Sequence, residues 1–220
     1  MEAKIQLMKK VYAIALIATL MASCQPQTKH ETMEAKNQTV EDILNRRSTR
    51  AYKPEQIRNE DLDIILQCAI NAPSALNKQS WEVRVIQKPA LINAINEGFV
   101  KYASNKKMEG NASKSQEPNF SVFHGAPTII VVANDTKNDY SEVDCGLLGQ
   151  NILVAAESMN LGTCVVGGVI AYLSTPEAKD LVAQLNLPPN YKPLYTITIG
   201  YKNQWPDAKP RDKTKIQIIK

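Results

Sequence analysis

The sequence predicts an α+β fold in which helices cover a small sheet. Three observations predict it. Helix-like and strand-like segments alternate irregularly, with no internal repeat. Neither G-x-G-x-x-G nor G-x-x-x-x-G-K-[ST] occurs, so no dinucleotide fingerprint or P-loop points to a doubly wound sheet. Of 220 residues, 44% are hydrophobic and 22% charged, an ordinary balance for one sizeable core.

Residues 1–24 read as an address. Lys9 and Lys10 precede an apolar run from Val11 to Ala22. That run is shorter than the roughly 20 residues a spanning helix needs and has the proportions of a signal-peptide core. Met8 would serve as an alternative start. Leu20-Met-Ala-Ser-Cys24 resembles the bacterial lipobox, in which the Cys is lipid-modified and becomes the mature N-terminus; Met21 departs from the usual Leu. The plainer reading is a cleaved secretory signal or a buried helix. Lipidation of Cys24 predicts an exported, membrane-anchored protein on the periplasmic or cell-surface side. Residues 25–38 are polar, contain Pro26 and His30, and read as a tether. The folded domain is expected over 39–220.

Within it, Thr39 and Asp42 form a T-x-x-D cap for a short helix ending near Ser48. Asn59 caps a second helix, with Leu62, Ile65, Leu66, Ala69 and Ile70 on its apolar side, ended by Pro73. Residues 81–86 alternate like a strand with one buried face. A helix over 89–99 precedes a polar excursion over 101–116. Residues 128–133 form a continuous apolar strand, buried on both faces. The strongest helix spans 140–160. Its apolar residues cover more than one stripe, as for a helix buried on most sides or at a subunit interface. A short strand over 163–166 ends at Gly167-Gly168. Ser174 with Glu177 reads as a capping box for a helix over 174–187. Residues 194–200 are a strand, and Ile216–Ile219 is strand-like.

Charge narrows the function. There are 26 basic and 22 acidic residues; without residues 1–24 the numbers are 23 and 21. A surplus of two excludes a general polyanion binder, so no nucleic-acid partner is expected. Cys68, Cys145 and Cys164 sit among apolar neighbours without a C-x-x-C pair, and read as buried free thiols. Neither a disulfide framework nor a metal site is expected.

Four blocks carry candidate chemistry. Arg46, Arg47, Ser48, Thr49 and Arg50 offer forked cationic donors suited to phosphate, although cations also suit a helix C-terminus. Pro73, Ser74, Ala75, Asn77, Gln79 and Trp81 form a polar loop. Its amides could pair with the edge of a heterocycle, or simply build turns. Val166, Gly167 and Gly168 offer backbone for close approach, or a tight turn. Lys209 and Arg211 form a basic pair in the tail. His124, beside Gly125, reads as structural.

The order of these blocks is more specific than any one of them. R-R-S-x-R, A-P-S-x-x-N-x-Q-x-W, G-A-P-x-x-I-V-V, a long apolar helix, L-G-x-x-x-V-G-G and K-x-R together resemble the FMN-dependent nitroreductase family over nearly all of 40–215. The resemblance implies a mainly antiparallel central sheet and a homodimer with two interfacial FMN sites. Arg46, Arg47 and Ser48 then hold the phosphate and ribityl chain, and Arg50 lies near the flavin N1–O2 edge. Pro73, Ser74, Ala75, Asn77 and Gln79 come from the other subunit. Val166, Gly167 and Gly168 face N5 and O4, while Lys209 and Arg211 clamp the phosphate. Ser80 replaces the usual Pro, which would leave the loop less stiff. No side-chain nucleophile is required, because the bond-making belongs to the cofactor.

Two functions fit. The first is an oxidoreductase passing hydride or two electrons from NAD(P)H, or another donor, to a nitroaromatic, quinone or similar acceptor. The alternative is a non-catalytic, membrane-tethered lipoprotein that binds flavin or another anion.

Overall fold

The computed structural model describes residues 37–220. The predicted signal, Cys24 and residues 25–36 of the tether lie outside them. Four strands make one sheet: β1 (Trp81–Ile86), β2 (Thr128–Asp135), β3 (Leu161–Val166) and β4 (Tyr191–Tyr201). Their order is β1-β2-β4-β3 and every ladder is antiparallel, in agreement with the expected class. The helices are α1 (Gln38–Asn45), α2 (Asn59–Ile70), α3 (Pro89–Ala103), α4 (Ser141–Ser158), α5 (Ile170–Leu173) and α6 (Lys179–Ala183).

Side-chain alternation along β2 explains the layers. Ile130 and Val132 face α2 and α4, joined by Ile197, Ile199 and Leu161 and met by Ile65, Leu148 and Ile152. Ile129 and Val131 face the other way, toward Ile95 and Phe99 of α3 and Tyr172 of α5. Both faces are therefore dry, so β2 has no polar residue from Ile129 to Ala133. Each such aliphatic side chain contributes about 1.5–3 kcal/mol on burial.

Several boundaries differ from the sequence reading. The cap of α1 is Asn37, whose side chain accepts from Val40 N at 3.0 Å, and not Thr39. Asn59 is the first residue of α2 and not its cap; Arg58 precedes it and bonds both Asp61 oxygens at 2.7 and 2.8 Å. Helix α3 runs to Ala103, and the excursion beyond it contains a 3₁₀ turn, Gly110–Lys114.

The helix expected over 174–187 is broken. Pro176 forces Thr175 into extended backbone (φ −90°, ψ 156°), so no helix can cross that point. Ser174 closes α5 instead, its hydroxyl donating to Ile170 O at 2.8 Å. A 3₁₀ turn (Pro176–Ala178) then leads into α6. Ile216–Ile219 pairs with no strand among the described residues and is exposed. Cys145 and Cys164 are buried thiols as expected, but Cys68 is only half-buried.

Candidate active site

The basic block leaves α1 and runs against the free edge of β3. Ser48 bridges Thr163 in parallel sense, and Thr49 N donates to Thr163 O at 2.9 Å. A layer of buried hydroxyls supports this contact from behind. Tyr52 Oη donates to Thr49 O at 2.7 Å and accepts from Thr198 Oγ1 at 2.7 Å. Thr198 Oγ1 also lies 3.2 Å from Cys164 O, and Thr196 donates to Val166 O at 2.9 Å. Burial drives the Tyr52 phenol far above its usual range, so it stays a neutral donor.

The charges of this block converge on β3. Burial raises the Cys164 thiol, while Arg50, Ser48 and Arg46 pull it back down. His124 is held below its ordinary value by burial and then by Arg50. His124 therefore lies within electrostatic reach of Arg50. From Cys164 the strand continues through Val166 to Gly167 and Gly168. Both glycines are exposed, and a Cβ built on either would have no atom within 4 Å. One chain therefore brings Arg46, Ser48 and Arg50 beside a strand that ends in open glycine backbone. A flat anionic cofactor fits that arrangement: cations for a phosphate, and unobstructed main chain for a ring edge.

Arg47 is placed differently. Its Nη1 donates to Leu44 O at 2.7 Å and Arg46 O at 2.9 Å, so it caps the C-terminus of α1. It also lines a cleft of about 240 Å³ with Asn45, Thr49, Lys202 and Trp205. Lys202 pairs there with Glu157 at 2.8 Å. Lys209 and Arg211 lie beyond this cleft on the exposed tail and form no ion pair among the described residues.

The loop with Pro73, Ser74, Ala75, Asn77 and Gln79 is not bonded to the basic block. Its anchor is Asp144, in the first turn of α4. Ala75 N donates to Asp144 Oδ1 at 3.0 Å and Ser80 Oγ to Oδ2 at 2.7 Å. The departure at Ser80 therefore does not leave the loop loose, because a buried hydrogen bond replaces ring stiffness. Leu76 at the tip is 86% exposed.

A wider cleft of about 660 Å³ opens between α3 and the turn after α5, beside Tyr102 and Tyr172. None of the residues predicted for the site lines it. Sequence reasoning missed Asp144, Tyr52, Thr196 and Thr198. The alternation of Thr196 and Thr198 in an otherwise apolar strand was the available signal, since polar residues on a buried face need partners. Asp144 carried none, because its partners are 64 and 69 residues away.

Comparison with known proteins agrees with this fold. The pattern of the Nitroreductase family matches residues 43–201. A nitroreductase with bound FMN from Desulfitobacterium hafniense superposes with a TM-score of 0.78 and 29% identity, covering 84% of this chain and 100% of that one. One from Bacteroides fragilis, also with bound FMN, gives 0.76 and 25% over the same shares. The NADPH-flavin oxidoreductase of Vibrio harveyi is 29% identical over 182 residues, 80% of this chain and 70% of its own. With the family pattern running from α1 to the end of β4, this protein belongs to the nitroreductase family.

Proposed function

We propose that this chain is an FMN-dependent oxidoreductase, using NAD(P)H or another donor to reduce a nitroaromatic, quinone or similar acceptor. The observation that carries the reading is the juxtaposition of Arg46, Ser48 and Arg50 with Val166-Gly167-Gly168 across β3. FMN supplies hydride and electron chemistry when bound. The protein's own part is to bind, orient and tune. Arg46 and Ser48 offer donors to phosphate oxygens. Arg50 would offer a permanent cation to the negative charge that develops on a flavin during reduction. Gly167 and Gly168 leave the main chain accessible for a ring edge.

The functional unit is a homodimer in this reading. Val143 and Leu147 of α4 are 62% and 41% exposed, while Leu148 and Ile152 on the same helix are fully buried. Ile43, Leu44 and Ile64 are exposed as well. Exposed apolar side chains on three helices call for a cover, and a second copy of the chain would supply one. It would also supply the loop of residues 73–79 to the opposite site. Cys24 would carry the lipid, placing the dimer at a membrane outside the cytoplasm.

The absorption spectrum of purified protein, before and after anaerobic NADH or NADPH, tests the reading. A yellow protein that bleaches supports it. A colourless protein that takes up no FMN overturns it. Retained colour that no donor bleaches favours a tethered flavin-binding protein without turnover.

A further inference from the structure

We propose that Asp144 is a positioning residue that holds the 74–80 loop in the shape it needs at a flavin site. The inference rests on the reading above and goes beyond it, to a residue that would touch neither cofactor nor substrate.

The loop has an unusual backbone. Leu76, Asn77 and Gln79 all adopt positive φ, at 54°, 54° and 49°. None is glycine, and Leu is a poor choice for that region. Such a run persists only where its surroundings over-determine it, and it is typical of segments that contact ligands. The two ends of the run are tied to one carboxylate. Asp144 Oδ1 accepts from Ala75 N and Oδ2 from Ser80 Oγ, at 3.0 and 2.7 Å. Asp144 and Ser80 are each 2% exposed.

The anchor is itself fixed. Ser141, one turn earlier on α4, donates its hydroxyl to Ser80 O and accepts from Asp135 N at 2.8 Å. The start of α4, the end of β2 and the loop are thereby one unit. Between the two ties the loop closes on itself. Gln79 N donates to Ser74 Oγ and Asn77 N to Ser74 O, both at 3.0 Å. What remains outward is Leu76 and the amides of Asn77 and Gln79, which are exposed. No cation pairs with Asp144 among the described residues. Its carboxylate serves the loop rather than a charge.

Amide hydrogen exchange of the flavin-free full chain tests the anchor. In Asp144→Ala the amides of Ala75, Asn77, Lys78 and Gln79 should exchange at least about tenfold faster, with β2 unchanged. FMN titration of the same variant should give about tenfold weaker binding. Asp144→Asn should recover most of both, since its amide can accept from Ala75 N and donate to Ser80 Oγ. Unchanged exchange in 75–79 overturns the proposal. Faster exchange with unaltered FMN affinity overturns its cofactor part. If Asp144→Ala does not fold, Ser80→Ala removes one tie and must show the same two effects, more weakly. A wild type that takes up no FMN defeats the flavin reading, while exchange still decides whether Asp144 anchors the loop.

Discussion

Thr49 lies against Gly162 so closely that a Cβ on the glycine would stand 2.7 Å from Thr49 Oγ1 and Cγ2. Gly162 is buried in β3, directly beneath the segment that carries the basic residues. Gly162→Ala must therefore push Thr49 off the strand. The variant is expected to lose about 1–3 kcal/mol of stability, as overpacked sites do, and to retain less flavin. Thermal unfolding and the flavin-to-protein absorbance ratio check this together. A variant of unchanged stability and colour would show that the contact relaxes freely.

Arg47 and Arg50 should separate in their effects. Arg47→Ala removes two hydrogen bonds to helix-end carbonyls, with an expected cost of about 1–3 kcal/mol to the fold besides weaker FMN binding. Arg50 is exposed, and its one recorded bond, to Ser48 O, is long at 3.5 Å. Arg50→Gln should leave the melting temperature nearly unmoved. It should weaken FMN binding by about ten- to a hundredfold, the worth of a charged hydrogen bond. Fluorescence titration with FMN and thermal melts of both variants decide the assignment.

Acid should weaken the fold through His124. Its folded value lies below the ordinary one, because of burial and the Arg50 charge. The unfolded chain therefore takes the proton first. Stability is complete above about pH 6.5 and falls as pH drops from there toward the folded value. The chain contains two histidines, and His30 lies in the predicted tether, so few signals interfere. Asn tolerates the positive φ of 58° at this position, so His124→Asn should fold and flatten the profile between pH 7 and 5. Urea unfolding at several pH values gives the slope. In Arg50→Gln, the His124 imidazole should titrate higher by NMR.

The exposed apolar face of α4 predicts assembly. Wild-type protein should sediment as a dimer, and Leu147→Glu should shift it toward monomer with loss of flavin. Sedimentation velocity at matched concentration reads both. A monomeric wild type with full flavin content would remove the second copy from the site.

Cys24→Ala should release the full-length protein from the membrane fraction into the soluble one. Persistence in the membrane fraction would exclude a lipid at that position.

Much of this fold is legible because its signals are local. The apolar run of β2 reports burial directly; the alternation of β1 marks a strand although its four inner residues are all half-buried, and the pattern of α4 marks a helix that still exposes Val143 and Leu147. The expected helix over 174–187 failed because its periodicity continues across Pro176, whose effect on Thr175 outweighs the pattern. The adjacency on which the proposed site rests was legible in part for the same reason. Arg46, Ser48 and Arg50 are neighbours in sequence, and the glycine pair ends a recognisable strand. Arg47 matches the expected residue type, yet its guanidinium turns back to cap α1. Asp144 could not be read, since nothing in a helix's first turn distinguishes an acid that meets the dipole from one that holds a distant loop.

The bridge between Ser48 and Thr163 has another effect. β3 ends the sheet, and a bare outer strand presents unpaired amides and carbonyls that invite another chain. The basic segment occupies part of that rim and lines it with positive charge. The residues proposed to hold the cofactor also cover part of the edge along which the sheet could grow into a neighbour. A substitution that frees this segment should thus produce a protein that clumps as well as one that fails to bind, and solubility and activity would be lost together.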